Sequence, residues 1–409
     1  MRVLICGTGS GAHALAGITS RKPEIDVRVF ALRADKADRW RAAQDESPLK
    51  VVVAEEWGLQ SSFEATSILI TTDPGEAAAG CDIIILAAPA FLHREYLVSL
   101  RPYLERGCTV VGLPGQTGFE FEAMKTLGHR IDDCVILNFE SLPWVCRLIE
   151  FGRSVRICGI KDRLVGASRG DTTVAHCGNP LASLQHLLGE PPTLSISGHL
   201  LGISLRSPNA CSHPAIMYGC WNGWSGDPLE RPPLFYHGVD EFTASLLAEV
   251  CDEVLRTSTR IMAEYPEVDL SNVIPMYEWD LCCYGKHIKD KTNLMTALRT
   301  NSIYAGMTHP MVQTDDGRYV PDFNHRFLTE DVPFGLVVIR GIAEIAGVAT
   351  PHIDTVLTWC QQVMGKQYLV GSRLIGKDLL ETRCPQRYGF TTIAQLLGYR
   401  ALAATAQEQ

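Results

Sequence analysis

The sequence predicts an α/β domain built on a doubly wound, mainly parallel sheet over residues 1–198, followed by an all-α domain over residues 199–409. Three observations carry this reading. Short β-branched runs alternate with helix-like stretches through the first half; a glycine-rich turn follows the first run directly; and beyond residue 199 continuous apolar runs give way to a helical period. At 409 residues the chain is also long for a single core, which fits two or three domains.

Taken in order, Val3–Cys6, Val27–Phe30, Ile68–Ile70, Ile83–Leu86, Val110–Gly112 and Val135–Leu137 read as strands. Apart from Arg28, these runs are continuously apolar rather than alternating, as in strands covered by helices on both faces. Two further runs, Val155–Ile160 and Leu164–Ala167, extend the unit toward residue 198. In the second half Val239, Phe242, Leu246, Val250 and Val254 recur at spacings of three and four, which makes an amphipathic helix. Thr350-Pro351 reads as the cap and first-turn proline of another helix, through Ile353, Val356, Leu357 and Val363. The polar tail after Arg400 reads as frayed. There is no internal repeat and no low-complexity segment.

Composition narrows the function classes. Hydrophobic residues make up 46% and charged residues 20%, which excludes disorder, collagen and coiled coil. A formal net charge of −9 argues against nucleic acid or an anionic membrane as partner. No apolar run approaches the ~20 residues that a bilayer demands, and a strand begins at once, so neither a membrane span nor a signal peptide is expected. The expected location is the cytoplasm, and the expected state a monomer. Fourteen cysteines are scattered through apolar stretches, and the adjacent pair Cys282-Cys283 has no C-x-x-C companion. They read as buried reduced thiols, with no metal site.

Gly7-Thr8-Gly9-Ser10-Gly11-Ala12 is G-x-G-x-x-A, placed after the first strand and opening a helix-like run, the setting that marks a dinucleotide-binding Rossmann domain. Gly7 permits the tight turn, Gly9 lets the backbone approach a pyrophosphate, and Ala12 allows close packing of helix on strand. Ser10 and Gly11 begin the helix whose amides face the phosphates. The second strand ends at Phe30-Ala31-Leu32, where an acidic residue normally takes the ribose 2′-hydroxyl, and none is there. Arg33 follows and would suit a 2′-phosphate or lie across the adenine, so the choice between NAD and NADP stays open. Ala88 and Pro89 follow the fourth strand and Gly112–Gln116 the fifth. Loops at these carboxyl ends wall the cofactor crevice.

Six segments carry a resemblance that spans nearly the whole chain: GTGSGAHALA (Gly7–Ala16), VGLPGQTGFEFE (Val111–Glu122), FESLPWVCRLIEFGR (Phe139–Arg153), CSHPAIMYG (Cys211–Gly219), PDFNHRFLTEDVPFG (Pro321–Gly335) and TRCPQRYGF (Thr382–Phe390). They resemble the invertebrate opine dehydrogenases of the octopine dehydrogenase type. The resemblance implies a Rossmann domain, a helical domain and an active site between them. It also implies an activity that joins an amino acid to pyruvate and reduces the resulting imine with NADH, recycling that cofactor in oxygen-poor tissue.

That chemistry calls for a proton donor and acceptor at a carbonyl, and His213 is the candidate, since imidazole titrates near neutrality. Asp331 precedes Val332-Pro333, so capping a helix would by itself explain it. The resemblance adds that it pairs with the histidine and fixes its tautomer. Arg326 offers a planar fork suited to the carboxylate of pyruvate. Gln116, Glu140 and Ser141 lie in matching segments and are expected to position pyruvate or the amino group. Trp279 and Asn209 are candidates for the amino-acid pocket. Octopine-forming members of the family carry an aromatic residue four positions before the catalytic histidine; Asn209 stands there, which favours alanine, glycine, β-alanine or taurine over arginine. Two other readings are a 2-hydroxyacid dehydrogenase that needs no amine and a protein that senses NAD without turnover.

Overall fold

A computed structural model describes residues 1–54, 60–65 and 68–398; the tail after Arg400 lies outside the described residues. The chain divides into two compact units, Met1–Ile203 with Cys282–Tyr284, and Ser204–Leu281 with the chain from Gly285 onward.

Strands of the first unit are β1 (Arg2–Cys6), β2 (Asp26–Phe30), β3 (Lys50–Ala54), β4 (Gln60–Glu64), β5 (Leu69–Thr71), β6 (Ile83–Leu86), β7 (Thr109–Gly112) and β8 (Val135–Phe139), then β9 (Trp144–Glu150), β10 (Ser154–Ile160), β11 (Arg163–Arg169) and β12 (Thr193–Ile196). Helices α1 (Ser10–Thr19), α2 (Ala34–Glu46), α3 (Pro74–Ala78), α4 (Ala90–Leu100), α5 (Phe119–Leu127), α6 (Pro180–Leu188) and α7 (Leu200–Leu205) intervene. The main sheet runs β12-β11-β8-β7-β6-β1-β2-β5. From β8 to β5 every pairing is parallel, while β11 lies antiparallel to β8 and β12 parallel to β11. The order reverses at β1 and β6, the switch point where dinucleotides bind in open α/β sheets.

The apolar runs are explained by burial on both faces. Val3 and Ile5 join one core cluster with Leu15, Trp40 and Ile83, whereas Leu4 and Cys6 join another with Tyr96, Phe119 and Ile84. Successive side chains point to opposite faces of a strand, so a strand between two helix layers has no polar position to spare.

One expected element sits elsewhere. The run Val155–Ile160 is β10, and it joins a separate four-stranded sheet of order β4-β3-β10-β9 instead of extending the main one. Its own sequence explains this: Val155 and Ile157 are buried while Arg156 and Cys158 are exposed, the alternation of a sheet with one wet face. Leu164–Ala167 does enter the main sheet, within β11.

The second unit is helical: α8 (Pro208–Trp221), α9 (Glu241–Glu264), α10 (Met276–Tyr284), α11 (Leu294–Thr300), α12 (Arg326–Thr329), α13 (Val337–Ala346), α14 (Pro351–Val363) and α15 (Ile393–Leu396). It also carries two small hairpins absent from an all-helical expectation, β13 (Met311–Gln313) with β14 (Tyr319–Pro321) and β15 (Leu369–Val370) with β16 (Arg373–Leu374). The helix read from Thr350-Pro351 is α14, but Thr350 does not cap it; its hydroxyl donates to Asp354 at 3.2 Å. The cap comes from Glu253 of α9, fully buried, whose two carboxylate oxygens accept the amides of His352 and Ile353 at 2.8 and 2.9 Å. A carboxylate suits the positive end of a helix. Among the described residues no helix is long and apolar enough to cross a membrane.

Candidate active site

The first unit presents the dinucleotide turn at the end of β1. Gly7 has φ +143°, and a Cβ there would lie 2.5 Å from the Ala87 carbonyl oxygen and 3.3 Å from Ala12 Cβ. Only glycine lets β1, the loop after β6 and α1 converge so closely. A Cβ on Gly9, by contrast, would meet nothing within 4 Å, so the backbone faces open space where a pyrophosphate is expected. The first-turn amides of α1 have no partner within the helix, as at any helix start. The turn therefore fits a dinucleotide.

Around it, Ser10 accepts the Leu148 amide through its hydroxyl at 3.1 Å, and Gly11 packs against Leu142. His13, missed in the sequence although it stands in the quoted motif, accepts the Gly152 amide at Nε2 (3.0 Å) and lies 2.9 Å from the Gly9 carbonyl through Nδ1. Arg33 is exposed at the start of α2, where its guanidinium is gripped by Asp35 at 2.9 and 3.2 Å. Ala88 is buried and Pro89 leads into α4. At the other carboxyl ends, Gln116 is the one non-glycine residue with positive φ among the described residues, at 64°. Strain of this kind tends to persist where it serves a site. Glu140 is buried, its Oε1 accepting the Val165 amide at 3.1 Å, and Ser141 follows it, partly exposed.

In the second unit the structure brings His213 and Asp331 together. His213, on α8, is 6% exposed, and its Nδ1 lies 2.7 Å from Asp331 Oδ2 across 118 residues of sequence. Asp331 heads a π-helical turn, Val332–Leu336, but its side chain caps no amide; its carboxylate is spent on the histidine, which corrects the capping explanation. The turn approaches α8 because Gly335 has no side chain: a Cβ would lie 2.8 Å from Ala210 Cβ. Phe327 stacks on the imidazole at 3.9 Å between ring centres, and Phe235 meets it edge-on at 5.6 Å. Tyr236, which no motif singled out, puts its hydroxyl 2.9 Å from His213 Nε2.

Arg326 opens α12 beside Phe327 and forms an ion pair with Glu330 at 2.9 Å; its side chain is 58% exposed. Trp279 lines a small, partly open cleft at the start of α8, with Arg206, Ser207, Cys211, Cys251 and Met276. Asn209, partly exposed on the first turn of α8, is not among the residues lining it. Among the described residues no group of three or more His, Cys, Asp or Glu is arranged to hold a metal ion.

A dinucleotide turn at the switch point of a parallel sheet, in one chain with a buried histidine–carboxylate pair, defines a nicotinamide-dependent dehydrogenase. Comparison with known proteins makes this specific. A family described as NAD/NADP octopine/nopaline dehydrogenase, alpha-helical domain, matches residues 196–364. Tauropine dehydrogenase of Arabella iricolor is 45% identical over 393 residues, covering 96% of this chain and 99% of that protein. Octopine dehydrogenase of Pecten maximus is 41% identical over 397 residues, covering 97% and 98%. A solved octopine dehydrogenase with NADH and L-arginine superposes with a TM-score of 0.90 at 41% identity, covering 98% and 99%. Another, with NADH and pyruvate, gives 0.88 at 40%, with the same coverage. The chain belongs to the opine dehydrogenase family: it is an NAD(H)-linked oxidoreductase acting on a CH–NH bond.

Proposed function

We propose that this protein condenses pyruvate with a small amino acid, alanine, glycine, β-alanine or taurine, and reduces the imine, with His213 as the acid and base. The observation that carries the assignment is the buried 2.7 Å contact of His213 Nδ1 with Asp331. An ionised carboxylate only accepts, so Nδ1 keeps its hydrogen and Nε2 is the nitrogen that exchanges protons. In the imidazolium state His213 polarises the carbonyl of pyruvate, then protonates the hydroxyl that leaves the carbinolamine as water. Asp331 holds the ring in place and balances its charge. Arg326 anchors the carboxylate of pyruvate, drawn from its pairing with Glu330. Gln116, Glu140 and Ser141 position the substrates, and Trp279 lines the amine pocket. NADH, when bound at Gly7–Ala12 with Arg33, Ala88 and Pro89, supplies the hydride.

On this reading residues 1–198 carry the cofactor and 199–409 the substrates. Asn209, in place of an aromatic ring, supports the small amine over arginine. A monomer working in the cytoplasm completes the proposal; the fourteen cysteines, all thiols, suit a reducing compartment.

The test is NADH oxidation with pyruvate and a panel of amines: alanine, glycine, β-alanine, taurine and arginine. Turnover is expected only when an amine is present, with kcat/KM at least ~10-fold higher for one of the small amines than for arginine, the discrimination that one lost pocket contact can produce. Oxidation by pyruvate alone would make it a hydroxyacid dehydrogenase, and arginine as the best amine would overturn the specificity.

A further inference from the structure

His213 gains and loses a proton in every turnover, yet it sits almost wholly out of water between two phenylalanine rings. A buried ring nitrogen that changes from acceptor to donor demands a partner that can change the other way. Asp331 meets that demand at Nδ1 without changing, because Nδ1 donates in both states. At Nε2 the partner is the hydroxyl of Tyr236, at 2.9 Å. In the free enzyme, a neutral ring lets Tyr236 donate to the Nε2 lone pair; when the ring is charged, Nε2–H donates to the Tyr236 oxygen until a substrate oxygen takes that hydrogen bond. A hydroxyl does both by turning its hydrogen.

Tyr236 is itself held. It is 7% exposed, and its ring stacks on that of Tyr304 at 3.9 Å and 18°. Tyr304 in turn donates to Oδ1 of the fully buried Asp280 at 2.7 Å. The amide of the preceding residue, Phe235, donates to the Met307 carbonyl at 2.8 Å. Backbone and stacked ring thus aim the phenol at the imidazole.

We propose that Tyr236 is a positioning residue that satisfies His213 Nε2 in both protonation states of the free enzyme, yields to the substrate oxygen at turnover, and thereby sets the pH range over which the histidine works. The proposal rests on the reading of His213 as the acid and base. The other titratable and charged groups that the structure gathers about the imidazole are Asp331 at the head of the π turn, His325 just before α12, and Asp322 and Arg326 beside His325. All of them stay when Tyr236 is changed. Removing the hydroxyl costs the charged ring more than the neutral one, because a charge-assisted hydrogen bond is roughly twice as strong as a neutral one. The neutral ring is then favoured over the charged one.

The experiment measures kcat/KM against pH in both directions for the full chain and for Tyr236→Phe. The alkaline limb of reductive condensation and the acid limb of opine oxidation are expected to move together to lower pH, by about half a unit to one unit, with kcat down roughly 10-fold and NADH affinity unchanged. Replacing Tyr236 by 3-fluorotyrosine keeps the shape and stacking, makes the hydroxyl a weaker acceptor, and should move both limbs the same way. Profiles for both variants that superpose on the wild type, or limbs that move upward, overturn the role of Tyr236. His213→Gln in parallel tests the reading beneath it: it should abolish turnover, and near-normal turnover would sink both.

Discussion

The protein should lose stability in mild acid in part through an imidazole beneath the cofactor turn. His13 is fully buried and lies flat against Trp40, with ring centres 3.6 Å apart. The Gly152 amide can only donate, so Nε2 accepts and Nδ1–H donates to the Gly9 carbonyl, which fixes one tautomer. Protonation would aim a second N–H at the Gly152 amide. Burial pulls the pKa down from 6.5 to about 4, opposed in part by the bond to Gly9. Between those two values the unfolded chain holds a proton that the folded chain does not. The contribution is therefore full above 6.5 and declines as pH falls toward 4, by up to ~1.4 kcal/mol per pH unit. Between pH 7 and pH 5 that amounts to about 2 kcal/mol. His309, buried in the second unit and lowered to about 3, adds a loss of the same sign, so a variant must separate them. His13→Gln keeps an acceptor and a donor but does not titrate. Urea unfolding at pH 7 and pH 5 should show about 2 kcal/mol less pH dependence in the variant, and the Gly152 amide should exchange faster in the wild type at pH 5 than acid alone explains. Equal pH dependence in the two proteins would refute the argument.

Two other substitutions probe the two units separately. Gly7→Ala forces a Cβ to within 2.5 Å of the Ala87 oxygen at φ +143°, so NADH binding, followed by nicotinamide fluorescence, should weaken by ~100-fold or more; undiminished affinity would mean that the turn does not hold the cofactor. Arg326→Lys keeps the charge but not the fork. Steady-state kinetics should show a KM for pyruvate raised about 10-fold or more, with a lower kcat, while an unchanged pyruvate profile would move the anchor elsewhere.

How much of this was legible before the structure depends on the range over which each feature is decided. The parallel strands were readable because burial on both faces leaves its mark inside each strand, as in Ile83–Leu86. The placement of β10 was less so: its alternation was present, but which sheet it joins depends on β3 and β9, far away in sequence. Caps misled for a related reason. Thr350 and Asp331 both stand at helix starts, yet a buried carboxylate from α9 serves one helix and a distant histidine claims the other side chain. His213, Asp331 and Arg326 were singled out through likeness to a family, since no period links residues 118 apart; the structure joins the first two and pairs Arg326 with Glu330.

Tyr236 marks where that approach stops. Its segment carried no motif, and its place at Nε2 comes from a stack on Tyr304 and from the bond of the neighbouring Phe235 amide to Met307, both many residues further on. A trace of the pairing was nevertheless present in the chain. Gly335, four residues after Asp331, stands opposite Ala210, three residues before His213, and two small residues at those offsets are what allow the turn and the helix to approach. A larger side chain at either place would separate the carboxylate from the imidazole with both members of the pair unaltered. The fit of His213 to Asp331 is thus written partly in residues that have no chemistry of their own.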